Sequence, residues 1–299
     1  MKGNNISTNI LSTASQAWVS TLHQQLSMKF KGKGTIRNYC QEITLLFKYY
    51  HQKSPEQISQ DDIRNYIVFI QQVHKVGRAK CRSVASACAY FFKHVIQRPF
   101  VLPSDLYPQK QFVLPNIMSQ LQVNQLFSAP LSLREYCVVG IMYGAGLRIS
   151  EVAALTIHDI DSAAKRIKVV QGKGAKDRFT LLPDSLIQKL RAFYVQQGKP
   201  QKYLFTSSQT QKALHPRTLQ TTVNSAMKKA NLAQFNFTGH TLRHSFATHM
   251  LDNGSNIHVI KTLLGHAKIE TTMIYLHLQQ HIQFGIVSPL DTVMNEPRN

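Results

Sequence analysis

Through the first third of the chain, apolar residues recur at helical spacing. Ile36, Tyr39, Cys40, Ile43, Leu46, Phe47 and Tyr50 fall three and four apart and make one stripe, as on a helix with one face against a core. Ser59 and Asp62 read as a capping box that opens a second helix carrying Ile63, Tyr66, Ile67, Ile70 and Val73. Cys81, Val84, Cys88, Phe91, Phe92 and Val95 stripe a third, and an earlier helix holds the sole tryptophan, Trp18, with Leu22 and Leu26. A small all-helical bundle is therefore expected over residues 10–98. The period is then lost. Pro99, Pro103, Pro108 and Pro115 interrupt the chain, so residues 99–116 read as an extended linker.

A second pattern begins near Ile117. Ser119 and Gln122 form another capping box, and helices are predicted over 132–145 and 149–155. Arg166 to Gln171 alternates like a strand, Gly172 to Asp177 is a turn, and Arg178 to Pro183 is the return strand. From Asp184 to about Leu278 the pattern is mostly helical. The fold class expected is mainly α: an N-terminal helical bundle, then an α-rich domain over 117–284 with a small antiparallel β-sheet, then a tail over 285–299.

Composition adds a partner. Apolar residues make up 43% and charged residues 17% of the 299 positions, a globular rather than a disordered mix. Lys and Arg number 35 against 15 Asp and Glu, a net charge of +20. Residues 1–115 and 116–299 each carry +10. A basic surface kept for solubility would account for the total. An equal charge on both halves fits better with one polyanion touching both, and nucleic acid is the commonest such polyanion. Cys40, Cys81, Cys88 and Cys137 form no CxxC pair and sit in apolar, helix-like surroundings, so free thiols in a reducing compartment are expected. The N-terminus lacks the apolar core of a signal peptide, and the longest apolar run, Tyr136 to Leu147, is too short to cross a bilayer. These features lead to an expected cytoplasmic location without a membrane partner.

The candidate chemistry lies in five segments: Gly144 to Glu151 with Arg148, Gly172 to Gly174 with Lys173, His240 to His244 with Arg243, Leu263 to His266, and Thr271 to His277 with Tyr275. Together they offer two arginines, two histidines and a lysine to one phosphate, with a tyrosine nine residues beyond the second histidine. Phosphodiester cleavage asks for such a set. Negative charge collects on the non-bridging oxygens in the transition state, and planar guanidiniums match those oxygens with paired hydrogen bonds. A phenol must lose its proton to attack, which nearby cations favour and a histidine can accept. The leaving 5′ oxygen must gain a proton, which a lysine on a hairpin can bring. Each segment alone is ordinary: Gly172 to Gly174 is a tight turn, and most of the 11 tyrosines are packing residues. The order and spacing of the set carry the reading. His240 and His244, four apart, lack the glutamate of a zincin pair because Thr241 follows the first, so no metal site is expected. His244 and His249 read as structural.

These segments resemble the tyrosine recombinases of the phage-integrase family. The resemblance is strongest from Ser119 to His277 and extends by pattern over the helical first third. It implies a tyrosine-recombinase fold with an N-terminal SAM-like core-binding domain. Arg148 and Arg243 would clamp the phosphate, and His240 would act as general acid or base. His266 would be a further phosphate donor, and Lys173 the acid to the 5′ oxygen. Glu151 would support the site from behind, and Tyr275 would form a 3′-phosphotyrosyl bond. The resemblance further implies no cofactor, ATP or metal, double-stranded DNA as the partner, a C-shaped clamp on that DNA, and a homo-tetramer on two DNA sites with a dimer on each. A tail such as 285–299 often docks on a neighbouring subunit in that family. The stretch from Ile286 to Asp291 is similar to recombinases found beside insertion sequences, which implies a Xer-type or mobile-element enzyme for integration, excision or resolution. Two other functions share parts of the pattern: a non-catalytic DNA-binding architectural or regulatory protein, and type IB topoisomerase-like relaxation.

Overall fold

The computed structural model describes residues 10–29, 32–99, 114–170, 177–207 and 210–278. The chain divides into two compact units between residues 112 and 113. Most of the expected linker, the hairpin turn with Lys173, and the tail all lie outside the described residues.

The first unit is helical. Helices α1 (Thr13–Met28), α2 (Lys33–Tyr49), α3 (Gln60–Gln72) and α4 (Arg78–Tyr90) bury the predicted stripes against each other, with Leu22, Leu26, Ile43, Leu46, Phe47, Ile63, Tyr66 and Phe91 at the centre. Ser59 caps α3 as its capping box predicts: its Oγ accepts from the Asp62 amide at 3.0 Å while Asp62 accepts from the Ser59 amide at 2.8 Å. The buried Glu42 on α2 is held by Lys80 of α4 at 2.6 Å. The third predicted helix differs at its end. Beyond Tyr90 it continues as one π-helical turn, Phe91–Val95. The wider turn goes with two adjacent rings, Phe91 and Phe92, that are both fully buried.

In the second unit, α5 (Gln120–Ser128), α6 (Leu133–Gly144) and α7 (Ile149–Ala154) follow the predicted spans. The sheet has three antiparallel strands in the order β1 (Ile160–Asp161), β2 (Arg166–Val169), β3 (Arg178–Leu181). The two-residue β1 is too short to show a period and escaped the sequence reading. Ile167 and Val169 face inward, opposite Thr180 and Arg178. The buried Thr180 hydroxyl donates to the Ala145 carbonyl at 2.8 Å and so fixes the sheet against the turn between α6 and α7. Then come α8 (Asp184–Gln196), α9 (Pro216–Lys229), α10 (Gly239–Asp252), α11 (Ile257–Leu264) and the short α12 (Glu270–Met273). The helical stretch expected from Asp184 onward breaks between α8 and α9. Gly198 and Lys199 adopt positive φ there, and isolated bridges pair Thr156 with Tyr203 and Thr206 with Ala213.

Helix α6 lies at the centre, packed on α8, α9 and α10. Glu135 ties it to α9: its carboxylate accepts from the Ser225 hydroxyl, the Lys229 ammonium and the Ser132 amide, each at 2.7 Å. Burial pushes this carboxyl up, but the bonds from Lys229, Ser225 and Ser132 outweigh it and hold the pKa at about 2, against 4.5 for a free side chain. A carboxyl depressed in the folded state stabilises the fold fully above its unfolded pKa and loses that contribution as pH falls through its folded value. We therefore expect part of the stability to vanish between pH 4.5 and about 2. In urea melts Glu135→Gln should lower stability at pH 7 and flatten the loss across that window; an unchanged slope would refute the assignment.

Candidate active site

The site is built around the N-terminus of α7. Arg148 is its N-cap, and Glu151, one turn in, accepts from the Arg148 amide at 2.8 Å and from the Arg148 guanidinium at 2.8 Å. The turn into Arg148 passes through Gly146 at φ +66°, where an added Cβ would lie 2.6 Å from the Phe246 ring. Only glycine meets both demands. Arg178 comes from β3 and grips the same carboxylate with both terminal nitrogens, at 3.0 and 2.9 Å. Its Nε donates to the Leu263 carbonyl at 2.8 Å. Gly265, the left-handed cap of α11 at φ +64°, leaves room for the Arg178 side chain; a Cβ there would lie 2.7 Å from Arg178 Cδ.

Helix α10 brings Arg243, which is buried. Its guanidinium donates to the carbonyls of Gly146 and Leu264 and lies 3.7 Å from Glu151. One Nη2 also lies 3.3 Å from His266 Nε2. A guanidinium can only donate, so Nε2 accepts and the ring proton sits on Nδ1. Nδ1 then donates to the Thr272 hydroxyl at 3.0 Å. Thr272 is fully buried on α12, directly before the turn that carries Tyr275. The Tyr275 ring stacks on His266 with centres 6.3 Å apart, and its hydroxyl is hydrogen-bonded to His244 Nδ1 at 3.0 Å.

Arg148, Glu151, Arg243, His266 and Tyr275 thus meet in one place, within one unit. His240 lies on the exposed side of α10, its ring centre 6.4 Å from that of His244. Lys173 lies outside the described residues. His249 packs as a structural residue, 2.9 Å from the Tyr143 hydroxyl. Residues 111–281 match the phage integrase family, and residues 18–101 match the phage integrase N-terminal SAM-like domain.

The chain belongs to the phage integrase family. It is a tyrosine recombinase, an enzyme that exchanges DNA strands at specific sites through a tyrosine. It is 32% identical over 260 residues to the integrase/recombinase y4qK of Sinorhizobium fredii, covering 85% of this chain and 82% of that one. It is 31% identical over 269 residues to the tyrosine recombinase XerA of Pyrococcus horikoshii, covering 86% and 90%. The structure of XerH site-specific recombinase bound to difH substrate, a pre-cleavage complex, superposes with a TM-score of 0.67 over 89% of this chain and 88% of that one; at 19% identity the likeness is one of fold.

The electrostatics of the recombinase site are set by burial. Burial raises the Glu151 carboxyl, but Arg178 and Arg148 overcome it and hold the pKa at about 2. Burial and the neighbouring Arg148 bring Arg243 down to about 9, which still leaves it charged at neutral pH. His266 falls to about 3 through burial and then the charges of Arg243 and Arg148. His244 falls to about 4 through burial, His240 and Arg243. The phenol of Tyr275 departs from expectation. Arg243 and Arg148 do pull its pKa down, but burial outweighs them and the net shift is upward.

Two side chains escaped the sequence reading. In the sequence Arg178 reads only as the start of a strand, although the hairpin register sets it on the inward face opposite Val169. A buried arginine needs a carboxylate, and that was the available signal. His244 read as structural; its partner is 31 residues away, and no local spacing announces it. Because burial and cations both disfavour the charged imidazoles, His244 and His266 should stay neutral in DNA-free protein at pH 5.5. Ring nitrogen NMR checks this, and an imidazolium signal from either at that pH would contradict the geometry.

Proposed function

We propose that Tyr275 is the nucleophile of this recombinase and that Arg148 and Arg243 clamp the scissile phosphate. The observation that carries this reading is the convergence of both guanidiniums, His266 and the Tyr275 phenol around Glu151. Arg148, Arg178 and Arg243 face a single carboxylate there. The uncompensated positive charge suits a phosphodiester whose transition state gains a second negative charge. Tyr275 Oη attacks phosphorus, the bond to the 5′ oxygen breaks, and a 3′-phosphotyrosyl ester conserves the bond energy. Once Arg243 Nη2 has moved its hydrogen bond to the phosphate, the ring proton of His266 shifts to Nε2, which donates to a phosphate oxygen while Nδ1 accepts from the Thr272 hydroxyl. Lys173 delivers the proton to the 5′ oxygen, and His240 serves as an outer acid or base. A 5′ hydroxyl from the partner duplex reverses the step.

The helical first unit, over about residues 10–98, is assigned to core DNA binding and 117–284 to catalysis. Equal charge on both segments of the chain supports a role for each on DNA. Two protomers per site and four per synapse are proposed, working in the cytoplasm; among the described residues no helix is long and apolar enough to cross a membrane.

A nicked suicide duplex tests the chemistry. Wild type should form a denaturation-resistant protein–DNA adduct, and Tyr275→Phe should form none. Arg148→Ala or Arg243→Ala should slow adduct formation by about 10²–10³. Adduct in Tyr275→Phe would end this assignment, and a DNA-binding protein without adduct would favour the architectural alternative. If about 8 phosphates are neutralised, log K should fall against log salt with a slope near about −7; a slope near zero would contradict charge-driven binding.

A further inference from the structure

Resting on the assignment of Tyr275 as nucleophile, we propose that His244 is a further catalytic residue: its Nδ1 takes the Tyr275 hydroxyl proton as the bond to phosphorus forms. On rejoining, the imidazolium returns that proton to the departing phenolate. The books balance at each stage. In cleavage the Oη–phosphorus bond forms, the phosphorus–O5′ bond breaks, Oη loses its proton to His244, and O5′ gains one from Lys173.

Contact is the first argument. The Tyr275 hydroxyl and His244 Nδ1 are 3.0 Å apart, the reach required of a general base. His240, the histidine that the family resemblance puts in the acid–base role, lies farther out. Its ring centre is 6.4 Å from that of His244, one helical turn toward solvent. The second argument is placement. His244 directly follows Arg243 on α10, so the helix that clamps the phosphate also positions the proton acceptor. Its ring tilts against the phenol at 5.6 Å between centres, while His266 stacks on that phenol at 6.3 Å. The third argument is charge. The groups facing His244 are Tyr275, His266, His240 and Arg243. Burial first, then His240 and Arg243, keep it a neutral imidazole, with Nδ1 free to accept when the ring proton is on Nε2. The same cations penalise the imidazolium until a phosphate brings negative charge into the clamp. Proton transfer is thereby coupled to substrate, and the phenol stays protonated in its absence.

The test compares wild type, His244→Gln and His244→Phe for adduct formation on the suicide duplex at saturating DNA, from pH 6 to 10. Wild type must first form its Tyr275-dependent adduct; if it does not, the nucleophile assignment has failed rather than the role of His244. At pH 7 the variants should cleave about 10²-fold more slowly with DNA affinity unchanged. Their rates should then rise about tenfold per pH unit toward wild type, because the phenol must ionise unaided below its ordinary pKa near 10. That recovery also shows that the variants are folded. A second substrate carries sulfur in place of the bridging 5′ oxygen and needs no acid. It should rescue Lys173→Ala and leave the His244 deficit in place. The proposal is overturned if His244→Phe cleaves at the wild-type rate, if its deficit is the same at every pH, or if the 5′-sulfur substrate abolishes that deficit.

Discussion

Everything at the site leans on one buried carboxylate. Glu151 accepts from Arg148, takes both arms of Arg178 and sits within 3.7 Å of Arg243. Three guanidiniums brought this close would repel each other strongly in a low-dielectric setting. Without the carboxylate their pairing would fail, and a second carboxylate would halve the positive surplus that faces a ligand. One anion among three cations holds the arginines together and still leaves them short of negative charge. The site thus keeps a surplus of positive charge, which the phosphate proposed as its ligand would offset.

The same burial keeps the proposed nucleophile, Tyr275, a neutral phenol. Tyr275 lies in the cluster of Phe246, Ala247, Leu251, Ile260 and Leu264, nearly closed to solvent. Removal from water favours the neutral phenol more than the arginines favour the phenolate. Composition and motif alone suggest an activated tyrosine; the packing yields a protonated one. Activation therefore has to arrive with the substrate. The charge shortage around Glu151 and the idle phenol are two consequences of one dry site.

Much of this was legible in the amino-acid order because it rests on local rules. The capping boxes at Ser59 and Ser119 and the stripes of α2 and α3 announce themselves within one or two turns. The hairpin pairing of β2 with β3 follows from alternation about a glycine-rich turn. Arg148, Arg243, His266 and Tyr275 were found through their ordered motifs, and they converge in space. What escaped depends on distant partners. The π-turn after Tyr90 answers to packing around Phe91 and Phe92, and the pairing of β1 answers to a strand already laid down. His244 resembles any helical histidine until a phenol from 31 positions later reaches it. Arg178 differs: hairpin register alone sets it inward, so its need for a carboxylate could have been inferred.

The division of labour among the helices follows from these contacts. Arg243 and His244 stand side by side on a 14-residue helix whose inner face is buried along its length, so one element carries both the proposed clamp and the proposed proton acceptor. Tyr275 instead follows a helix of only four residues, and its turn is tied to the site through Thr272 and the Nδ1 proton of His266. His266 is in turn bonded to Arg243 through its other nitrogen. A phosphate that draws Arg243 Nη2 to itself removes the acceptor role from His266 Nε2. Two hydrogen bonds in series, from Arg243 to His266 and from His266 to Thr272, therefore link the long helix to the short one.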